Sequence, residues 1–458
     1  MDSTLGTLER TDVLIEGERI RAVAPDIGAE DCEVIDATAM IAIPGLVDTH
    51  RHLFLTQLRG LGADYTNWDY LEKGVLGFLP LVRAEDVYIG AHAGALEALE
   101  SGVTTVVDHA DCIKEPGYAD EIIRSHRETG IRIVFLYGAC PPFIESLEDL
   151  GPTALFEPPE WHFDDVRRVR ETLLPADDGR IRFGITMHAA EGSPVEAGRK
   201  EIEFGRELGA LVIGCNAGFG LMTGNVPYVT ELAEAGLLGP DMLIIHANSL
   251  TDEELDLLAG AGAAIAAEPE NELQAGLGFP MIGRAMERGV QTSLGVDTVM
   301  GYRGDLFTQM RFALQAERHR RGEEMTRKGL LPRSNEVNAQ DVLELATLGG
   351  ARAVHLDSEV GSLTPGKQAD LVLIRTDRLG MAPVVDPVKT VVSQANAADV
   401  DTVFVAGEPV KRGGELLNVD LPPILDRLSA SRDYMLEAWS KYDNKAVVDI
   451  AAATMPLG

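Results

Sequence analysis

Two histidines, His50 and His52, stand one residue apart in "IPGLVDTHRHLF", residues 43–54, directly after an apolar run and a Pro-Gly pair. On a strand, residues i and i+2 project to the same side, with Cα atoms about 6–7 Å apart. Two imidazoles so placed can converge on one metal ion. Much later, "LGVDT" (294–298) offers Asp297, a hard oxygen donor. Imidazole together with carboxylate suits Zn2+ or Fe2+, and a single ion is expected. The competing reading is a polar patch with no metal.

For Asp297 to meet His50, the chain between them must fold into something that closes on itself. Residues 1–40 contain short strand-like runs, "DVLIEG", "RIRAVA" and "EVIDA", separated by turn residues. From residue 41, apolar runs alternate with amphipathic segments, the βα pattern of a parallel sheet. Eight strand candidates fall at 41–48, 102–110, 131–140, 181–190, 210–218, 241–249, 262–270 and 291–298. "TDEELDLLAGAG" opens a helix with Thr251 and Glu254 in capping-box register. Eight such units predict an α/β fold, a (β/α)8 TIM barrel. Short strands return in "ADLVLI", "VKTVVSQ" and "VDTVFVAGEPVKRGG". The expected organisation is a β-sandwich part at 1–43, the barrel with its active site at 44–354, a second sandwich part at 355–420, and a helical tail at 421–458.

Barrel chemistry sits at the C-terminal ends of the strands. Those ends carry His50 and His52, Asp108 and His109, Cys140, His188, Cys215 and Asn216, His246, Glu268 and Glu270, and Asp297. Five of the ten histidines therefore gather at one mouth. His92, His126, His162, His319 and His355 fall on helices or loops and read as structural.

"PGLVDTHRH", "GVTTVVDHA", "LIIHANSLTDEEL", "LGVDT" and "GSLTPGKQADLVLI" together resemble the amidohydrolase superfamily over nearly the whole chain. The nearest branch is the cytosine-deaminase-like and triazine-hydrolase-like aminohydrolases. "THRHLFLTQLRGLGADY" resembles a less characterised subgroup of it. The resemblance implies a barrel with a β-sandwich, and metal ligation by His50, His52 and Asp297. It implies that His246 assists or ligates, and that a histidine ending strand five completes the set.

At strand five the chain departs from that pattern. Read as the family's HxxE, "HAAE" (188–191) would make His188 the ligand and Glu191 the proton shuttle. Strand counting favours His188 at the end of strand four instead, with Cys215 or Asn216 where the histidine should be. Cys215 could ligate zinc as a thiolate. Acids in "AAEPENEL" replace a Ser/Asn signature after strand seven, so Glu268, Glu270 and Glu272 are candidates for substrate contact or acid/base work, against a solvated loop. His109 and Gln57 are further substrate candidates, with Arg59 beside Gln57.

A bound divalent ion brings the pKa of its water from 15.7 to about 7. The expected chemistry is thus metal-dependent hydrolysis of a C–N bond, by deamination or amide or imide cleavage, in a small heterocyclic molecule. His246, Glu191 and Asp297 are the expected catalytic groups. One rival is lyase, isomerase or cyclase chemistry in a metal-poor relative; another is a non-catalytic scaffold. "PPFIESLEDLGPTALFEPPEWHF" (141–163) has the aromatics and prolines of a pocket lid.

Composition narrows the partners. Lys plus Arg number 40 against 73 Asp plus Glu, a formal charge of −33, which repels phosphate backbones and anionic lipid. Neither nucleic acid nor membrane is an expected partner, a small molecule is, and homo-oligomerisation is left open. "MDSTLGTLER" has no apolar h-region, and the four cysteines form no CxxC pair, so the cytoplasm is the expected compartment.

Overall fold

The structure, a computed structural model, describes residues 6–28, 31–140, 158–176, 179–218 and 227–454. The lid candidate therefore lies largely outside the described residues. Eight parallel strands run in chain order: Leu46–Arg51, Val103–Ile113, Arg132–Ala139, Ile181–Thr186, Ile213–Ala217, Met242–His246, Ala264–Ala267 and Gln291–Leu294. Each pairs with the next, and the first closes on the eighth. The Val296 and Asp297 N–H groups donate to the His50 carbonyl at 3.1 and 2.8 Å, and the His52 N–H donates to the Asp297 carbonyl at 2.7 Å. The chain is thus a closed (β/α)8 barrel.

Alternation along the strands sorts the core into two layers. Val47, Val107, Val134, Leu136, Leu243 and Ile245 fill the barrel interior, where Ala351 and Val354 join them. Leu46, Val106, Ile133, Ile213 and Ile244 face outward onto the helices. Caps fix where those helices begin and end. In Asp252–Ala261, for example, Thr251 accepts from the Glu254 N–H, the Glu254 carboxylate accepts from the Thr251 N–H, and left-handed Gly262 ends the helix.

Both chain ends build the satellite sheet. Met40–Pro44 pairs antiparallel with Leu371–Arg375, which continues through Val400–Val405 and Glu408–Arg412 to Glu415–Leu416. Asp12–Glu16 and Arg19–Ala24 form a separate two-stranded ribbon. Gly45 is the joint between sheet and barrel, and a Cβ there would collide with the Thr104 side chain.

Two strand expectations fail. Residues 33–37, "EVIDA", form no strand. "VKTVVSQ" lies in the helix Pro387–Gln394, whose N-cap Asp386 accepts from the Lys389 N–H at 3.0 Å. Val388, Val391 and Val392 recur at helical spacing, and the cap with a proline in the first turn overrides the strand preference of valine. The tail forms two helices, Leu421–Trp439 and Lys445–Thr454. Among the described residues no helix is long and apolar enough to cross a membrane.

Candidate active site

Strand one delivers His50 and His52 to the mouth with their rings edge to face, centroids 4.9 Å apart. Their Nε2 atoms lie 3.4 and 3.3 Å from the same oxygen, Asp297 Oδ1. Asp297 follows strand eight in a left-handed backbone conformation, φ 69°. Its other oxygen accepts from the Asn271 amide and, at 3.4 Å, from the Tyr302 hydroxyl. Gly295, two residues earlier, is required by close approach: a Cβ there would lie 2.9 Å from His50 Cβ and from Glu268 Oε1.

His246 ends strand six, also left-handed, φ 70°. A non-glycine residue in that region costs about 1–3 kcal/mol, a strain that clusters at functional sites. Here it falls at the ends of strands six and eight, which flank strand seven. Ligand atoms of His50, His246 and Asp297 all lie within 4.8 Å of one another. The far side of His246 meets two fully buried acids, with Nδ1 2.9 Å from Glu268 Oε2 and 3.7 Å from Glu272 Oε1.

Strand two supplies His109 and Asp111. The His109 ring lies 4.8 Å from that of His50, and its Nε2 is hydrogen-bonded to Thr186 Oγ1. Asp111 Oδ1 lies 3.0 Å from His52 Nδ1, which is also 3.1 Å from the His109 carbonyl. Strand four ends at Thr186, so His188 and Glu191 belong to the loop after strand four, and strand five follows at Ile213–Ala217. The Glu191 carboxylate accepts from the Gly218 N–H at 2.6 Å, which draws it across to the strand-five end.

The electrostatics are those of charges stacked in a dry site. Burial pushes His50 down to about 4, against the pull of Asp297. Burial also opposes charge on His52 and His246, but their carboxylates outweigh it. Asp111 and Asp297 hold His52 well above its ordinary range, and Glu268 with Glu272 brings His246 up to about 10. Asp297 is held well below the carboxylate range by both strand-one histidines, although burial works the other way.

These groups floor a cavity of about 350 Å3. His50, His52, His109, His188, Glu191, Asn216, His246 and Asp297 line it. Other candidates do not. Cys215 points outward into the core between barrel and helices, because the inward positions of strand five are Gly214 and Asn216; burial drives its thiol up to about 12, away from the thiolate a metal needs. Gln57 is buried on the turn Leu53–Leu58, its amide donating to Met435 Sδ at 3.3 Å, and Arg59 pairs with Glu97. Glu270 and Glu272 sit on a short helix, Pro269–Ala275, rather than a solvated loop. Glu270 faces Gln309, and Glu272 lies behind His246.

Sequence reading missed Asp111, Asn271, Tyr302, Tyr70 and the tail. Asp111 had a signal, since "DHAD" places it two residues beyond His109 on the same strand face. Tyr70, Val447 and Ala451 line the cavity from helices outside the barrel, and nothing in the sequence ties them to it.

Residues 41–410 match the profile of the amidohydrolase family. A 5'-deoxyadenosine deaminase of Methanothermobacter thermautotrophicus is 31% identical over 421 residues, 90% of this chain and 91% of that one. A 5-methylthioadenosine/S-adenosylhomocysteine deaminase of Pyrococcus abyssi is 28% identical, covering 92% and 94%. Among solved structures, an adenosine deaminase from Xanthomonas campestris with bound zinc superposes with TM-score 0.78 at 22% identity, over 94% of each chain. Atrazine chlorohydrolase TrzN from Arthrobacter aurescens, complexed with zinc, gives 0.81 at 22% identity, over 94% and 97%.

Proposed function

We propose, from the premise that the chain belongs to the amidohydrolase family, that it deaminates a small aminoheterocycle, with amide or imide cleavage as the neighbouring possibility. It is a hydrolase of carbon–nitrogen bonds other than peptide bonds. The observation that carries the reading is the convergence of His50, His52 and Asp297 on one point, with His246 beside it, under an open cavity.

The donor set suits a divalent ion: two buried imidazoles and a buried carboxylate from the ends of strands one and eight. His50, His52 and Asp297 would hold it, with zinc the ion we propose. Asn216, at the inward position of strand five, adds only a weak neutral donor. When bound, the ion supplies Lewis acidity and lowers the pKa of a water at the site.

The chain's own groups do the rest. Asn271 and Tyr302 hold Asp297 from one side, leaving Oδ1 toward the histidines. Glu191, steadied by the Gly218 N–H, takes a proton from the attacking water and delivers it to the departing nitrogen. His246, held cationic by Glu268, stabilises negative charge developing at the attacked carbon's substituent. A C–O bond forms, the C–N bond breaks, and ammonia leaves. We place the enzyme in the cytoplasm, acting on a small molecule.

The test is metal content by mass spectrometry, beside ammonia release from a panel of aminoheterocycles. About one zinc per chain is expected, absent from a His50→Ala/His52→Ala variant along with the activity. No metal after reconstitution would overturn the reading. Incorporation of 18O from solvent separates hydrolysis from the lyase, isomerase or cyclase reading that the strand-five asparagine favours.

A further inference from the structure

Helix Val195–Glu207 turns one face inward, on which Ala197, Gly198, Glu201, Ile202 and Gly205 are buried. A glutamate breaks that otherwise apolar stripe, and it is only 2% exposed. A carboxylate taken out of water needs hydrogen-bond donors to offset its lost hydration. Glu201 finds them in the loop after strand four, where Oε1 accepts from the His188 N–H at 2.8 Å and Oε2 from the Ala189 N–H at 2.9 Å. Gly205, one turn further on, lets the helix lie close to strand four, since a Cβ there would sit 2.6 Å from Ile185 Cδ1.

The loop so gripped is the one that carries Glu191, and each backbone N–H from Met187 to Glu191 has a partner. The Met187 N–H donates to the Gly214 carbonyl at 2.9 Å and the Glu191 N–H to the Asn216 carbonyl at 3.1 Å, so both ends hang on strand five. Between them the Ala190 N–H donates to Ser193 Oγ at 2.9 Å, within the loop. Of the N–H groups of residues 188–190, the two that leave the loop both end on Glu201. An apolar side chain would suit position 201 by pattern, and breaks in local pattern are expected where function needs them.

We propose that Glu201 is a positioning residue for the reaction: by holding two consecutive N–H groups it fixes the arc that presents Glu191 to the cavity. This rests on the proton-shuttle role of Glu191 in the proposed C–N hydrolysis. Glu191 and His188 line the cavity and Glu201 does not, so Glu201 acts through the loop and touches no substrate.

The test is a double-variant cycle on the zinc-reconstituted full chain, with ammonia release read on the aminoheterocycle that is turned over fastest. Glu201→Gln keeps the side chain's size but replaces one acceptor oxygen by an amide donor, so one loop N–H loses its partner. Its kcat is expected to fall about tenfold or more, a part of the roughly 100- to 10,000-fold that a positioned acid–base group contributes. KM and zinc content are expected to stay unchanged. In a Glu191→Gln background the same change should cost nothing further, because the group it presents is already gone. Glu201→Asp keeps both acceptor oxygens and should retain more of kcat than Glu201→Gln, although it fills less of the space. Hydrogen exchange at the 188 and 189 amides, followed without substrate or metal, should quicken in Glu201→Gln while that of Ile213–Ala217 holds.

Additive losses in the cycle would overturn the inference, as would wild-type kcat or unchanged exchange in Glu201→Gln. So would the reverse order of the two variants, which marks a packing role. Zinc binding without ammonia release from any heterocycle would overturn the proposed reaction, and the inference with it.

Discussion

Asp111 Oδ1 sits 3.0 Å from His52 Nδ1, on the side of the imidazole away from Asp297. That contact orients the ring so that Nε2 faces the point where His50 and Asp297 meet. Partners of this kind fix tautomer and orientation, and their loss costs a metal site about 10–100-fold in affinity. Asp111→Asn should therefore weaken zinc binding by about that factor, measured by chelator competition. Unchanged affinity would remove Asp111 from the site's machinery.

Strand five makes a second, opposed pair of predictions. Asn216 faces the cavity, whereas Cys215 is buried outside the barrel wall. Asn216→His places an imidazole at the strand-five position where the resemblance expects one, and should tighten zinc by about tenfold or more. Cys215→Ser should leave metal stoichiometry unchanged. If the serine variant instead lost its zinc, the parity of strand five would have to be reversed.

Two arginines share the Glu97 carboxylate, and they should not be equivalent. Arg51 is fully buried at 2.6 Å, and Arg59 is exposed at 2.7 Å. Glu97→Ala strips Arg51 of its nearest counter-charge and should cost about 3 kcal/mol of stability. Arg59→Ala should cost less than about 1 kcal/mol. Urea denaturation of both variants reads the difference, and equal losses would contradict the burial argument.

Glu201 ties the turn after strand four, accepting from the His188 and Ala189 N–H groups at 2.8 and 2.9 Å. Burial pushes its carboxyl from 4.5 up to about 7, against those two donors. A folded-state value above the unfolded one favours the protonated form. Its stabilising contribution is therefore complete below about pH 4.5 and is lost as pH rises through about 7. Stability of the wild type minus that of Glu201→Gln should shrink between pH 5 and pH 8, as followed by denaturant midpoints. A difference that grew with pH would reverse the sign and refute the assignment.

The eight barrel strands were legible because each is a short apolar run between amphipathic helices, and burial on both faces leaves that signature in any parallel barrel strand. His50, His52, His246 and Asp297 were legible because strand ends are where barrel chemistry collects. Placing His188 after strand four needed only counting. "VKTVVSQ" misread as strand for a local reason, since valine preference spoke louder than the Asp386-Pro387 cap.

What the sequence alone determined was the order of elements and the identity of the residues delivered to the mouth, because both are properties of runs a few residues long. Tertiary structure alone decided which of those residues face the cavity. A one-residue difference in strand parity turns Cys215 out and Asn216 in, and a helix turn puts Glu272 behind His246 rather than before the substrate. It also decided the cavity's outer wall. Tyr70 and Val447 lie far apart in the chain and meet only because two helices outside the barrel dock on each other. No local pattern encodes such a contact; packing does.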